Sequence, residues 1–172
     1  MKMDKNRNII LVGYMGSGKS TIGRKAAKAL GFEFLDTDIL IEQIEGMPIS
    51  RLFEEKGEPY FREKETDVIR ELLSEPKGKI IATGGGLPMT KGNPELLKEL
   101  GTVIYLKADS STLVKRLSGD TTRPLLQNGE LEEKIKSMLA VRGPVYEQLA
   151  DVVFVVDTMS VYEAICKIEK MV

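Results

Sequence analysis

Four apolar residues, Ile9-Ile10-Leu11-Val12, run straight into Gly13-Tyr14-Met15-Gly16-Ser17-Gly18-Lys19-Ser20-Thr21. The spacing is glycine, four residues, then Gly-Lys-Ser/Thr, the pattern of a P-loop. It predicts a strand Asn8–Val12, a sharp Gly-rich turn, and a helix from about Lys19 to Leu30 closed by Gly31. Such a turn points successive backbone N–H groups inward, and the helix N-terminus adds partial positive charge, so the loop is shaped for a polyphosphate. Gly13, Gly16, Ser17, Gly18, Lys19, Ser20 and Thr21 are the candidate nucleotide contacts. Lys19 is placed to reach the β- and γ-phosphates, and the Ser20 hydroxyl to hold a magnesium ion. A purely structural turn would explain the glycines, but not a lysine and two hydroxyls where an anion would sit.

The chain contains no histidine. His-dependent triads, imidazole metal sites and His general bases are excluded, so chemistry must rest on carboxylates, arginines, lysine, hydroxyls and backbone amides. Twenty-five basic residues stand against twenty-six acidic ones, a net charge of -1. That balance argues against a nucleic-acid footprint, and any anion site must be local. One cysteine, Cys166, excludes an intrachain disulfide and reads as a packing residue. With no run of about eighteen apolar residues and no signal-like leader, a cytoplasmic location without membrane association is expected. At 172 residues a single domain over 1–172 is expected.

Phe32–Leu35 reads as a second strand, leading into Asp36-Thr37-Asp38. If the backbone is extended there, alternate side chains share a face and both acids look into one cleft. The alternative makes Asp38 a cap for a helix Ile39–Glu45 and Asp36 a surface acid. Further helix is expected over Ile49–Ser74, broken around Gly57-Glu58-Pro59, with Arg62 in a charged stretch that is usually solvated. Lys79–Ala82 is a compact strand followed by Thr83-Gly84-Gly85-Gly86. Three glycines there fit a ligand approaching the main chain, or a loop needing positive φ. Because ligands in open α/β sheets bind beyond the strand C-termini, the P-loop, the acid pair and the triplet belong on one rim. Thr102–Leu106 and Val152–Val156 are the remaining strands, with helices over Asn93–Leu100, Ser110–Leu117, Glu130–Ala140 and Val161–Lys170. The polar segment 118–129 has lid character, and Arg142-Gly143-Pro144 is expected to interrupt or rewind its helix.

Taken together, the chain resembles the shikimate kinase family. The resemblance runs from about Asn8 to the C-terminus, through Asp36-Thr37-Asp38, Phe53–Glu65 with its Gly-Glu-Pro-Tyr-Phe-Arg core, the glycine triplet, Arg123-Pro124-Leu125-Leu126 and Arg142-Gly143-Pro144-Val145-Tyr146. It implies an α/β P-loop fold of the nucleoside monophosphate kinase-like type, with a five-stranded parallel sheet in the order 2-3-1-4-5 and helices on both faces. It also implies a substrate-binding subregion at about 37–62 and a lid at about 118–129. The implied reaction moves the γ-phosphate of ATP to the 3-hydroxyl of shikimate, on the route to aromatic amino acids, with magnesium and as a monomer. In this resemblance Lys19 and Arg123 neutralise the transferring group, Asp38 orients the attacked hydroxyl, and Arg62 and Arg142 grip the carboxylate. Gly84, Gly85 and Gly86 give backbone contacts to shikimate, Ser20 and Asp36 serve the magnesium, and Arg116 lies against the adenine. The adenine-side stretch Asp157-Thr158-Met159-Ser160 lacks the proline of some relatives. Tyr146 is expected to pack or brace Arg142, while Phe53 and Phe61 fit a pocket wall or the core.

Overall fold

A run as apolar as Ile9–Val12 needs cover on both faces, and the computed structural model, which describes residues 6–118 and 129–172, gives it that cover. β1 (Asn8–Val12) is buried at every position. It is the middle of a sheet ordered β2-β3-β1-β4-β5, formed by β2 (Glu33–Asp36), β3 (Lys79–Ala82), β4 (Gly101–Lys107) and β5 (Val152–Val155). All four pairings are parallel. The strand order and fold class expected from the resemblance are those observed.

Alternation along the strands splits the apolar residues into two cores. Ile9, Leu11, Ile80, Ile104 and Leu106 face α1 (Lys19–Leu30), α6 (Ser110–Ser118) and α8 (Val161–Met171). Ile10, Val12, Ile81, Val103 and Tyr105 face the opposite layer of α2 (Thr37–Glu45), α3 (Ile49–Lys56), α4 (Glu58–Leu73) and α5 (Asn93–Leu100). Each fully buried side chain among them stabilises the fold by about 1.5–3 kcal/mol. Phe61 sits in the second core with Phe53 tilted against it at 5.0 Å between ring centroids, so core packing accounts for both.

Two expectations change. The chain does not stay extended through Asp38: the helix opens at Thr37, because Asp36 caps it, accepting from the amides of Asp38 and Ile39. The cap is Asp36, and Asp38 lies in the first turn. Secondly, α7 (Gly129–Leu149) runs unbroken through Pro144. A proline crowds the residue before it, and Gly143 has no Cβ to be crowded. Leu131 and Ile135 near the start of α7 belong to the first core, Tyr146 and Leu149 near its end to the second. The expected lid, including Arg123, lies outside the described residues apart from its two ends. Among the described residues no helix is long and apolar enough to cross a membrane.

Candidate active site

The loop after β1 has the backbone that its glycines permit. Gly16 and Gly18 stand at φ 83° and 99°, in the left-handed region that side chains avoid. Lys19, the first residue of α1, turns its ammonium back onto the loop, donating to the carbonyls of Gly13 at 2.6 Å and Tyr14 at 3.0 Å. Desolvation drives its pKa down to about 8, against the pull of Asp38 and Asp36. An approaching polyphosphate would offer the ammonium a better acceptor than two carbonyls. Arg116, from the last turn of α6, crosses the loop and donates to the Gly16 carbonyl at 2.9 Å. The Ser17 side chain lies beneath the loop, sealed from solvent.

Asp36 ties this loop to the end of β2, across the intervening β3. Its Oδ2 accepts the Ser20 hydroxyl at 2.9 Å, while Oδ1 caps α2. The cap turns Asp38 back toward the P-loop, so both acids do share a cleft although the backbone between them is helical. A cavity of about 300 Å³ opens there, lined by Gly16, Gly18, Lys19, Ser20, Thr21, Asp36, Asp38, Gly84 and Gly85 among others. Burial raises the Asp38 pKa, and the Asp36 charge adds to the rise while Lys19 opposes it.

The glycine triplet is where the remaining side chains meet. None of the three has a positive φ, so loop conformation does not demand glycine. Space does. A Cβ at Gly84 would stand 2.5 Å from Asp38 Oδ1, one at Gly85 3.2 Å from an Arg142 nitrogen, and one at Gly86 2.5 Å from an Arg62 nitrogen. The triplet is pinned from below: the Gly84 amide donates to Thr37 Oγ1 at 2.9 Å, and the buried Tyr146 hydroxyl donates to the Gly85 carbonyl at 2.5 Å. Tyr146 Oη and an Arg142 nitrogen both lie beside Gly85, and burial pushes the Tyr146 pKa up to about 12 against the pull of the Arg142 charge.

Arg62 has its guanidinium engaged from two sides. Nη1 donates to Glu65 at 2.8 Å, while Nε and Nη2 donate to Glu58 at 3.2 and 3.0 Å. Glu58 is exposed and Glu65 buried. Neither Glu65 nor Thr37 is among the candidate site residues that the sequence offers. Glu65 falls on the apolar stripe of α4 with Phe61, Val68, Ile69 and Leu72, three residues from Arg62. A carboxylate on a buried stripe at that spacing is the signal that marks it.

The described candidates are thus brought to one rim, in two halves: Lys19, Ser20 and Arg116 with the P-loop, and Asp38, Arg62 and Arg142 around the glycines. A phosphate loop beside a compact pocket of carboxylates and arginines, on this sheet, defines a P-loop kinase of small molecules. The family model described as "Shikimate kinase" matches residues 15–172. A shikimate kinase of Histophilus somni is 46% identical over 159 residues, covering 92% of this chain and 90% of the relative. One from Legionella pneumophila (strain Corby) is 46% identical over 161 residues, covering 94% and 91%. The solved shikimate kinase from Acinetobacter baumannii, in complex with shikimate, superposes with a TM-score of 0.86 at 40% identity, covering 95% of this chain and 90% of that one. The chain belongs to the shikimate kinase family.

Proposed function

We propose that this chain transfers the γ-phosphate of ATP to the 3-hydroxyl of shikimate, giving shikimate 3-phosphate and ADP. The observation that carries the reading is the convergence of Asp38, Arg62 and Arg142 on Gly84–Gly86, beside Lys19. Shikimate is a small ring with one carboxylate and several hydroxyls. Two planar guanidiniums match a carboxylate better than ammonium groups would, and the bare backbone between them lets a small ring approach closely. Asp38 accepts from neighbouring hydroxyls and sets the direction of the attacking oxygen.

Phosphoryl transfer through a loose transition state asks for positioning and charge neutralisation rather than strong base catalysis. Asp38 therefore acts as an orienter that takes the proton late. Lys19 leaves the Gly13 and Tyr14 carbonyls for the transferring group, and Arg123 supplies the second positive charge from the lid at 118–129. Arg116 packs on the adenine side, and 37–62 forms the substrate-binding subregion. Ser20 Oγ and Asp36 Oδ2 are hard oxygen donors 2.9 Å apart at the P-loop, which suits magnesium, an ion that takes few protein ligands and keeps its waters. When bound it would offset the negative charge of the phosphates.

A coupled assay of ADP release tests the reading, with shikimate set against gluconate and nucleoside monophosphates as acceptors. Turnover with shikimate at a kcat/KM at least about a hundredfold above the others is expected. Preference for gluconate, another hydroxylated carboxylate, would overturn it.

A further inference from the structure

Two carboxylate oxygens without hydrogen-bond partners converge over Gly84. Glu65 Oε1 and Asp38 Oδ1 are both sealed from solvent. A Cβ at Gly84 would lie 2.9 Å from the first and 2.5 Å from the second. Glu65 is 1% exposed, and its other oxygen takes a hydrogen bond from Arg62 at 2.8 Å. Charged groups face it from three helices: Arg62 on its own α4, Asp38 on α2 and Arg142 on α7. The Gly84–Gly86 loop adds no side chain.

Two ionised carboxylates facing one another out of reach of water repel, and each orphaned oxygen lacks the donor it needs. One proton removes both costs, because it neutralises one group and makes it a donor. Burial and the Asp36 charge raise Asp38 too, but the Lys19 ammonium pulls it back toward the ionised form, and Asp38 is only half-buried. Glu65 is the more enclosed of the two, and desolvation lifts it to about 7 against the pull of Arg62. An anionic acceptor seated between Arg62 and Arg142 adds negative charge beside Glu65. That change favours the neutral acid.

We infer that Glu65 is the proton-carrying member of this pair, and that binding of the acceptor draws a proton from solvent onto it. The neutral acid then presents an O–H to Asp38, while Arg62 is freed to spend its charge on the acceptor carboxylate. The inference rests on the acceptor site proposed above. Glu65 is a positioning residue here, acting through Asp38 and Arg62.

Calorimetric titration of shikimate into the full chain, in buffers of different ionisation enthalpy, reads the proton directly. At pH 7 an uptake approaching about half a proton is expected, falling toward none near pH 5, where Glu65 is protonated before and after binding. Above pH 7 shikimate affinity should fall by up to about tenfold per pH unit. In Glu65→Gln the uptake should vanish, and the part of the pH dependence due to Glu65 with it. Shikimate binding without uptake, binding with proton release, or uptake that survives Glu65→Gln would each overturn the inference while leaving the proposed activity intact. Absence of shikimate binding altogether would overturn both. The wild-type titration alone is decisive if the variant does not fold.

Discussion

The Ser20 hydroxyl donates to Asp36 Oδ2 at 2.9 Å, and that single bond joins the phosphate loop to the helix start that aims Asp38. The other oxygen of Asp36 holds the amides of Asp38 and Ile39. One carboxylate therefore sets the distance between the two halves of the site. It does so by capping a helix rather than by lying on an extended strand.

Asp36→Ala removes all three bonds. Loss of the cap should cost about 1 kcal/mol of stability, and the magnesium concentration needed for half-maximal activity should rise. Asp36→Asn keeps an acceptor for the cap but loses the charge, so it should show the magnesium effect with little loss of stability. Urea unfolding and magnesium titration of kcat separate the two. Equal stability of the Ala and Asn variants would remove the cap from the explanation.

At Gly86 the argument is steric. A Cβ there would stand within 2.8 Å of three atoms of the Arg62 guanidinium. The backbone φ of -88° is open to alanine, so Arg62 must move and the chain need not. Gly86→Ala should raise the shikimate KM at least about tenfold, equivalent to about 1.4 kcal/mol, and leave the KM for ATP unchanged. Steady-state kinetics with each substrate varied in turn check this. An unchanged shikimate KM would mean that Arg62 does not need this position.

The P-loop, the sheet and most helix ends were legible because each is written in local chemistry: apolar runs for strands, glycines at turns, a 3.6-residue period in helices. The strand order was not, because nothing local in the sequence says which strands are neighbours, and it came only from the resemblance. The triplet Gly84–Gly86 was legible as a site but not for its reason. The need for glycine comes from Asp38, Arg62 and Arg142, side chains distant in sequence that press on the loop. Pro144 misled for a related reason. A helix break is the local expectation, but α7 is held at both ends, by Leu131 and Ile135 in one core and Tyr146 in the other. Glu65 sat among the ordinary charges of α4, and its place on the apolar stripe, where Glu63 does not fall, was the one local sign of its burial.

The Tyr146 hydroxyl is the support beneath Gly85. Tyr146→Phe fills the same space, so the ring packing against Tyr105 at 5.1 Å survives while the Gly85 carbonyl loses its donor. Because Gly85 is half-buried at the cavity wall, loss of this bond costs about the 1 kcal/mol of an ordinary hydrogen bond. The variant should lose that much stability in urea unfolding, and the shikimate KM should rise as Gly85 and Arg142 loosen together. A fully stable variant with an unchanged KM would assign the bond no role.

The folded protein binds a proton at Glu65 more tightly than the unfolded chain does, since burial raises this group from 4.5 to about 7. The linkage has one sign. The stabilisation from that proton is fully present below the unfolded value and is lost as pH rises through the folded one. Across the interval from 4.5 to about 7 it amounts to about 3 kcal/mol. Asp38, raised in the same direction, adds to the same slope. In Glu65→Gln the side chain is neutral at every pH, so its share of the slope disappears. Urea unfolding of both proteins between pH 4.5 and 8 should show the wild type losing stability relative to the variant as pH rises, with most of the change complete by about pH 8. Parallel curves would show that Glu65 ionises in the folded chain as readily as in the unfolded one, and that the Arg62 guanidinium offsets the whole cost of burying its charge.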